Sequence, residues 1–120
     1  MRKAIIIGGG PAGLSAALRL QQIANVAATV YELRPEPTTL GGAVGLLPNG
    51  LRLFRRLGVY SDLVSRGSGH SVFTLRSLNG GIVTTQDLVG RVREQNGGVG
   101  YLRIKRTDLL DVLLRASQKA

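Results

Sequence analysis

The sequence predicts an α/β fold centred on a parallel sheet, and three stretches carry that prediction. Ala4-Ile5-Ile6-Ile7 is an apolar run rich in β-branched residues, the composition of a strand covered on both faces. A glycine turn and the opening of a helix follow it directly, from Gly8 to Ala17. Ala27 to Leu33 is a second strand-like run that completes a βαβ unit, and Tyr101 to Lys105, just before the last helix, is a candidate third strand. The expected main sheet has three parallel strands in the order 3-2-1, with a β-hairpin inserted ahead of the third.

The first strand leads into Gly8, Gly10 and Gly13, which have the G-x-G-x-x-G spacing of a dinucleotide-binding turn. Gly8 permits the sharp exit from the strand, Gly10 lets backbone approach a pyrophosphate, and Gly13 lets the helix lie close to the sheet. The helix should run from Pro11 to Ala24, with Pro11 at a first position where a missing N–H costs nothing. Its first-turn amides, Ala12 and Gly13 among them, and the positive end of its dipole then face the phosphates. Gly13, Ala17, Leu20 and Ala24 share one face, so small residues are expected against the sheet.

The second strand ends before Pro35 and Pro37, which forbid regular structure. Glu32 therefore sits at its C-terminal end, 19 residues after Gly13. A carboxylate at about that distance from the glycines is placed to accept hydrogen bonds from ribose hydroxyls.

Thr38 to Gly50 reads as a flexible loop ending near Pro48. Leu51, Phe54 and Leu57 mark a helix from Asn49 to Leu57, stopped by Gly58. A short helix from an N-cap at Ser61 to Arg66 should end at Gly67. Ser71 to Leu78 and Ile82 to Asp87 are the hairpin strands, joined by Asn79-Gly80-Gly81. Val89 to Gly100 is polar and glycine-rich and reads as a loop, and Thr107 is the expected cap of a last helix bearing Leu109, Leu110, Val112, Leu113 and Leu114.

Composition narrows the function. The net charge of +9 comes from 16 Lys and Arg against 7 Asp and Glu, but the basic residues are scattered and few aromatics interleave with them, so no nucleic-acid partner is expected. With no cysteine and a single histidine, His70, neither a thiolate nucleophile nor a metal site is expected. No apolar run approaches the roughly 20 residues of a membrane span. The first strand begins too early to leave room for a cleavable signal, so a cytoplasmic protein is the default expectation.

Taken together, the glycine turn, Glu32-Leu33-Arg34, Gly42 to Asn49, Leu57-Gly58 and Arg106-Thr107-Asp108-Leu109 resemble the N-terminal part of the FAD-dependent monooxygenases of the hydroxybenzoate and salicylate hydroxylase type. The resemblance implies a Rossmann-like FAD-binding domain. It implies that Gly8, Gly10, Pro11, Ala12 and Gly13 face the FAD pyrophosphate, that Glu32 meets the adenosine ribose, and that Arg34 lies along the adenosine side. It also implies that Gly42, Ala43 and Val44 bring backbone toward the ribityl and flavin portion, and that Arg106 reaches the ribityl-pyrophosphate region, where a guanidinium makes bidentate contacts. In such enzymes NAD(P)H reduces the flavin, and the reduced flavin uses O2 to hydroxylate or epoxidise a small organic substrate.

Family members are several times longer and carry later FAD-binding motifs and a substrate domain that these 120 residues do not contain. Residues 1–120 are therefore expected to be the N-terminal portion of a FAD/NAD(P)-binding domain, incomplete relative to the family fold and inactive alone. No residue in it has the chemistry of a catalytic acid, base or nucleophile at a recognisable position. Two alternatives stay open on sequence: a fragment of another FAD oxidoreductase, such as an amine oxidase, and a non-catalytic NAD- or FAD-binding module.

Overall fold

In the computed structural model, which describes residues 1–36, 41–69, 72–87, 90 and 100–119, the chain opens as a βαβ unit. Strand β1 (Arg2–Ile7) pairs in parallel with β2 (Val26–Tyr31), Ile5 lying opposite Thr29 and Ile7 opposite Tyr31. Helix α1 (Pro11–Ala24) crosses between them and ends at Asn25, whose left-handed φ of 48° lets its N–H reach the Leu20 carbonyl. The first strand is covered on one face only. Ile6 is half-buried on the side of α1, whereas Ile5 is 71% and Ile7 81% exposed.

The inward face of α1 also differs from the small-residue stripe that its spacing predicts. Ala17 is buried, but so are Leu14 and Leu18, because the helix is packed on two sides, against β1–β2 and against the last helix. The two leucines enter the main core, and glycine and alanine serve the close approach to the sheet.

Strand β3 (Ala43–Leu46) leads into α2 (Pro48–Leu57), which has proline in its first turn, Leu51, Phe54 and Leu57 buried, and Gly58 at φ 80° as its stop. Helix α3 (Tyr60–Arg66) starts one residue before Ser61, with Val59 at the cap position and no side-chain cap. The hairpin β4 (Val72–Arg76) and β5 (Ile82–Asp87) turns at Gly80, φ 88°, as its Asn-Gly signal predicts, and all the residues of both strands are exposed. Strand β6 (Leu102–Lys105) runs without a break into α4 (Arg106–Lys119), so Thr107 lies inside the first turn rather than capping it.

The predicted third parallel strand is not formed. Among the described residues the parallel sheet has two strands, and β6 pairs antiparallel with β3, Val44 opposite Ile104 and Leu46 opposite Leu102. The physical reason is burial: that register puts four apolar side chains on one face, where Leu102 and Ile104 are buried and Val44 and Leu46 pack beside them. On its other side Arg103 exchanges two backbone hydrogen bonds with Ser68, 2.7 and 2.8 Å long.

The core lies between α1, α2, α3, β6 and α4, and Leu51, Leu63 and Leu113 are its most enclosed large side chains. Across α3 and α4, Arg66 Nη1 donates to Asp111 Oδ2 at 2.7 Å, and Arg115 Nε stands 3.0 Å from the same carboxylate oxygen. His70, Ser71 and most of the predicted loop from Val89 to Gly100 lie outside the described residues. Among the described residues no helix is long and apolar enough to cross a membrane.

Candidate functional site

The site begins with the turn between β1 and α1. Gly8 has φ 106°, a conformation that L side chains rarely adopt, and its N–H donates to the Tyr31 carbonyl at 2.7 Å, which ties the turn to the end of β2. Gly13 sits so close to the Gly8 carbonyl that any side chain there would collide with it. Gly8 is thus demanded by its backbone conformation and Gly13 by packing.

Gly10 is different. Its φ of −76° and ψ of −177° suit any residue, and a Cβ built on it meets no protein atom within 4 Å. It stands at the cap position of α1, where Pro11 has no N–H to lose and the amides of Ala12 and Gly13 have no intrahelical acceptor. The space in front of it faces a helix N-terminus that favours negative charge.

Glu32, one residue past β2, is held by main-chain donors. Gly9 N–H reaches its Oε2 at 2.7 Å and Arg34 N–H its Oε1 at 3.1 Å. The hydrogen bond from Arg34 N–H, then that from Gly9, hold its carboxyl below the usual glutamate range, with the Arg34 charge adding to the effect. Glu32 is therefore a carboxylate at neutral pH, an acceptor for hydroxyls.

These groups line one cavity of about 240 Å³. Gly9, Gly10, Glu32, Arg34, Glu36 and Arg106 supply its polar wall, and Leu14, Val30, Pro35, Leu110 and Leu114 its apolar one. Its volume lies below the roughly 300–1,000 Å³ of sites that enclose a whole drug-sized ligand. Apolar surface beside convergent polar groups suits a nucleoside joined to phosphates. Among the described residues no three His, Cys, Asp or Glu side chains come together.

The structure brings Gly10, Glu32, Arg34 and Arg106 to this cavity; Gly8, Pro11, Ala12 and Gly13 are not among its lining residues, and neither are Gly42, Ala43 and Val44. The last three connect to it through Arg106, whose N–H donates to the Gly42 carbonyl at 3.0 Å and whose side chain lies against Gly41. Gly42, like Gly10, has open space where a Cβ would stand. The Val44 side chain packs on the core, so only its backbone is offered to a ligand. Leu110 and Leu114 are wall residues that the sequence reading assigns to the core. The signal for them is present in their spacing, because Arg106, Leu110 and Leu114 recur at every fourth position and share one face of α4.

The chain is similar to known proteins along nearly its whole length. The family model described as FAD binding domain matches residues 1–119. The chain is 32% identical over 112 residues to the 6-hydroxynicotinate 3-monooxygenase of Pseudomonas fluorescens, covering 92% of this chain and 29% of that protein. It is 36% identical over 110 residues to the 3-amino-4-hydroxybenzoate 2-monooxygenase PtnB3 of Streptomyces platensis, covering 91% and 27%. Among solved structures, Klebsiella pneumoniae HpxO in complex with FAD and uric acid superposes with a TM-score of 0.85 at 29% identity, over 95% of this chain and 28% of that one. The chain thus spans less than a third of the length of the relatives it matches. From the glycine turn to α4, it belongs to the FAD binding domain family, in the form carried by FAD-dependent monooxygenases.

Proposed function

We propose that this chain holds the adenosine and pyrophosphate end of FAD within a flavoprotein monooxygenase that uses NAD(P)H and O2 to hydroxylate or epoxidise a small organic substrate. The observation that carries this reading is Gly10. Nothing in the protein requires glycine there, yet the position opens onto a helix N-terminus, a carboxylate and Arg106. A bound pyrophosphate supplies the missing reason.

On this reading Gly8, Pro11 and Gly13 shape the turn, and Gly10 and the Ala12 and Gly13 amides meet phosphate oxygens. Glu32 accepts from the ribose hydroxyls, and Arg34 flanks the adenosine. Arg106 pairs with phosphate, and the backbone of Gly42, Ala43 and Val44 borders the ribityl side. When bound, the flavin supplies the redox chemistry; these residues bind and orient it and exclude water from its adenosine end. Substrate binding and turnover need the parts of the relatives that residues 1–120 do not span, and cytoplasmic localisation belongs to the same reading. The relatives act on compounds such as 6-hydroxynicotinate and urate, so a small planar heteroaromatic or phenolic compound is the substrate class proposed.

Titration with FAD, followed by flavin fluorescence with ADP as competitor, tests the reading. FAD should bind, ADP should displace it, and Gly10→Val should weaken FAD at least about tenfold while costing only about 1 kcal/mol of stability. Undiminished FAD binding by Gly10→Val, or preference for NAD over FAD, would overturn it.

A further inference from the structure

Gly9 occupies an x position of the G-x-G-x-x-G pattern, where the pattern makes no demand, and the structure shows why it is glycine. A Cβ there would stand 3.1 Å from Glu32 Cβ and 3.2 Å from Glu32 Oε2, closer than ordinary packing allows, and its N–H donates to that oxygen at 2.7 Å. The opposite carboxylate oxygen accepts Arg34 N–H at 3.1 Å. From these contacts we infer that Glu32 is a positioning residue as well as a ribose acceptor: it latches the glycine turn, through Gly9, in the shape that receives phosphate.

The argument is one of entropy and direction. Three successive glycines form the segment that loses most conformational freedom on ordering, and a ligand that had to order it would bind more weakly by that cost. Two pins do the ordering beforehand. Gly8 N–H is held by the Tyr31 carbonyl and Gly9 N–H by Glu32, both at the end of β2. With those two amides turned toward β2, Gly10 is left lining the cavity. Each carboxylate oxygen has a second lone pair, so the latch and the ribose contact do not exclude one another. Arg34 and Arg106 line the same cavity and offset the negative charge that the latch places near a diphosphate.

The inference rests on the nucleotide reading, and its test separates the two. ADP and 2′,3′-dideoxy-ADP are titrated into the wild-type chain, Glu32→Ala and Glu32→Gln, and Gly9 amide hydrogen exchange is measured without ligand. A latch predicts that Glu32→Ala weakens dideoxy-ADP by about tenfold, although no ribose hydroxyl is present, and that Glu32→Gln, whose amide oxygen still accepts, recovers most of the loss. It also predicts that Gly9 is protected from exchange in the wild type and released in Glu32→Ala. Unchanged dideoxy-ADP affinity in Glu32→Ala, with ADP affinity reduced, would show a ribose contact alone and overturn the latch, as would an unprotected Gly9 in the wild type. A protected, Glu32-dependent Gly9 in a chain that binds neither nucleotide would uphold the latch and overturn the nucleotide reading.

Discussion

The Gly8 carbonyl oxygen and Gly13 approach so closely that a methyl group on Gly13 would overlap the oxygen and press on Ile6 Cγ2 at 3.3 Å. Gly13→Ala should therefore destabilise the chain by about 1–3 kcal/mol, the cost of forcing a methyl into packed surroundings. Gly10→Ala meets nothing within 4 Å and should change stability by less than about 1 kcal/mol while weakening nucleotide binding. Thermal denaturation paired with an ADP titration checks both, and equal loss of stability in the two variants would contradict the contrast.

A second glycine tests the β3–β6 pairing. A Cβ on Gly45 would run into the Tyr101 ring, reaching Cε2 at 2.8 Å and Cζ at 2.9 Å. Gly45→Ala should cost about 1–3 kcal/mol in urea unfolding. Combined with Tyr101→Ala it should cost less than the sum of the single changes by about 0.5–3 kcal/mol, because the obstructing ring is gone. Strict additivity would show that the two residues do not meet.

Leu113 and Leu63 are fully enclosed, whereas Leu78 in the hairpin turn is fully exposed. Leu113→Ala and Leu63→Ala should each lose about 2–5 kcal/mol, and Leu78→Ser should stay within about 0.5 kcal/mol of wild type. Chemical denaturation of the three variants decides whether the core lies between α1, α3, β6 and α4.

The Arg66–Asp111–Arg115 group yields a pH prediction. The Arg66 hydrogen bond, joined by that of Arg115, holds the Asp111 carboxyl below the usual aspartate range. Its folded pKa is thus depressed, so the stabilisation is present above the ordinary value of about 3.9 and is lost as pH falls through the lowered one. Asp111→Asn should lower the Tm at pH 7 and flatten its acid dependence below about pH 4, leaving the contribution of Glu32, which has the same sign. About a third of the Arg66 and Asp111 side chains is exposed, so added salt should shrink the difference between wild type and variant.

The βαβ unit was legible because each step had a local signal: β-branched residues, glycines at fixed spacing, proline in the first helical turn, Glu32 before Pro35. The same holds for the hairpin at Asn79-Gly80 and the stop at Gly58. Strand β3 was not legible. Gly41, Gly42 and Gly45 made it look like a loop, and the alternation of Val44 and Leu46 is too short to outweigh them without β6 alongside. Parallel pairing of β6 failed for the same reason, since its partner is chosen by nonlocal burial. At the site, Glu32 could be placed from its spacing to the glycines, whereas Arg106 came only through the family resemblance. The Gly9–Glu32 hydrogen bond joins residues 23 apart and is a matter of tertiary geometry.

Ser68 and Arg103 hold each other by two backbone hydrogen bonds, so the chain leaves the core and returns to it at neighbouring points. Between them the described hairpin of β4 and β5 stands exposed, an excursion from the core. Such an arrangement works as a cassette. The hairpin can be lengthened, shortened or replaced without moving β6, α4 or Arg106.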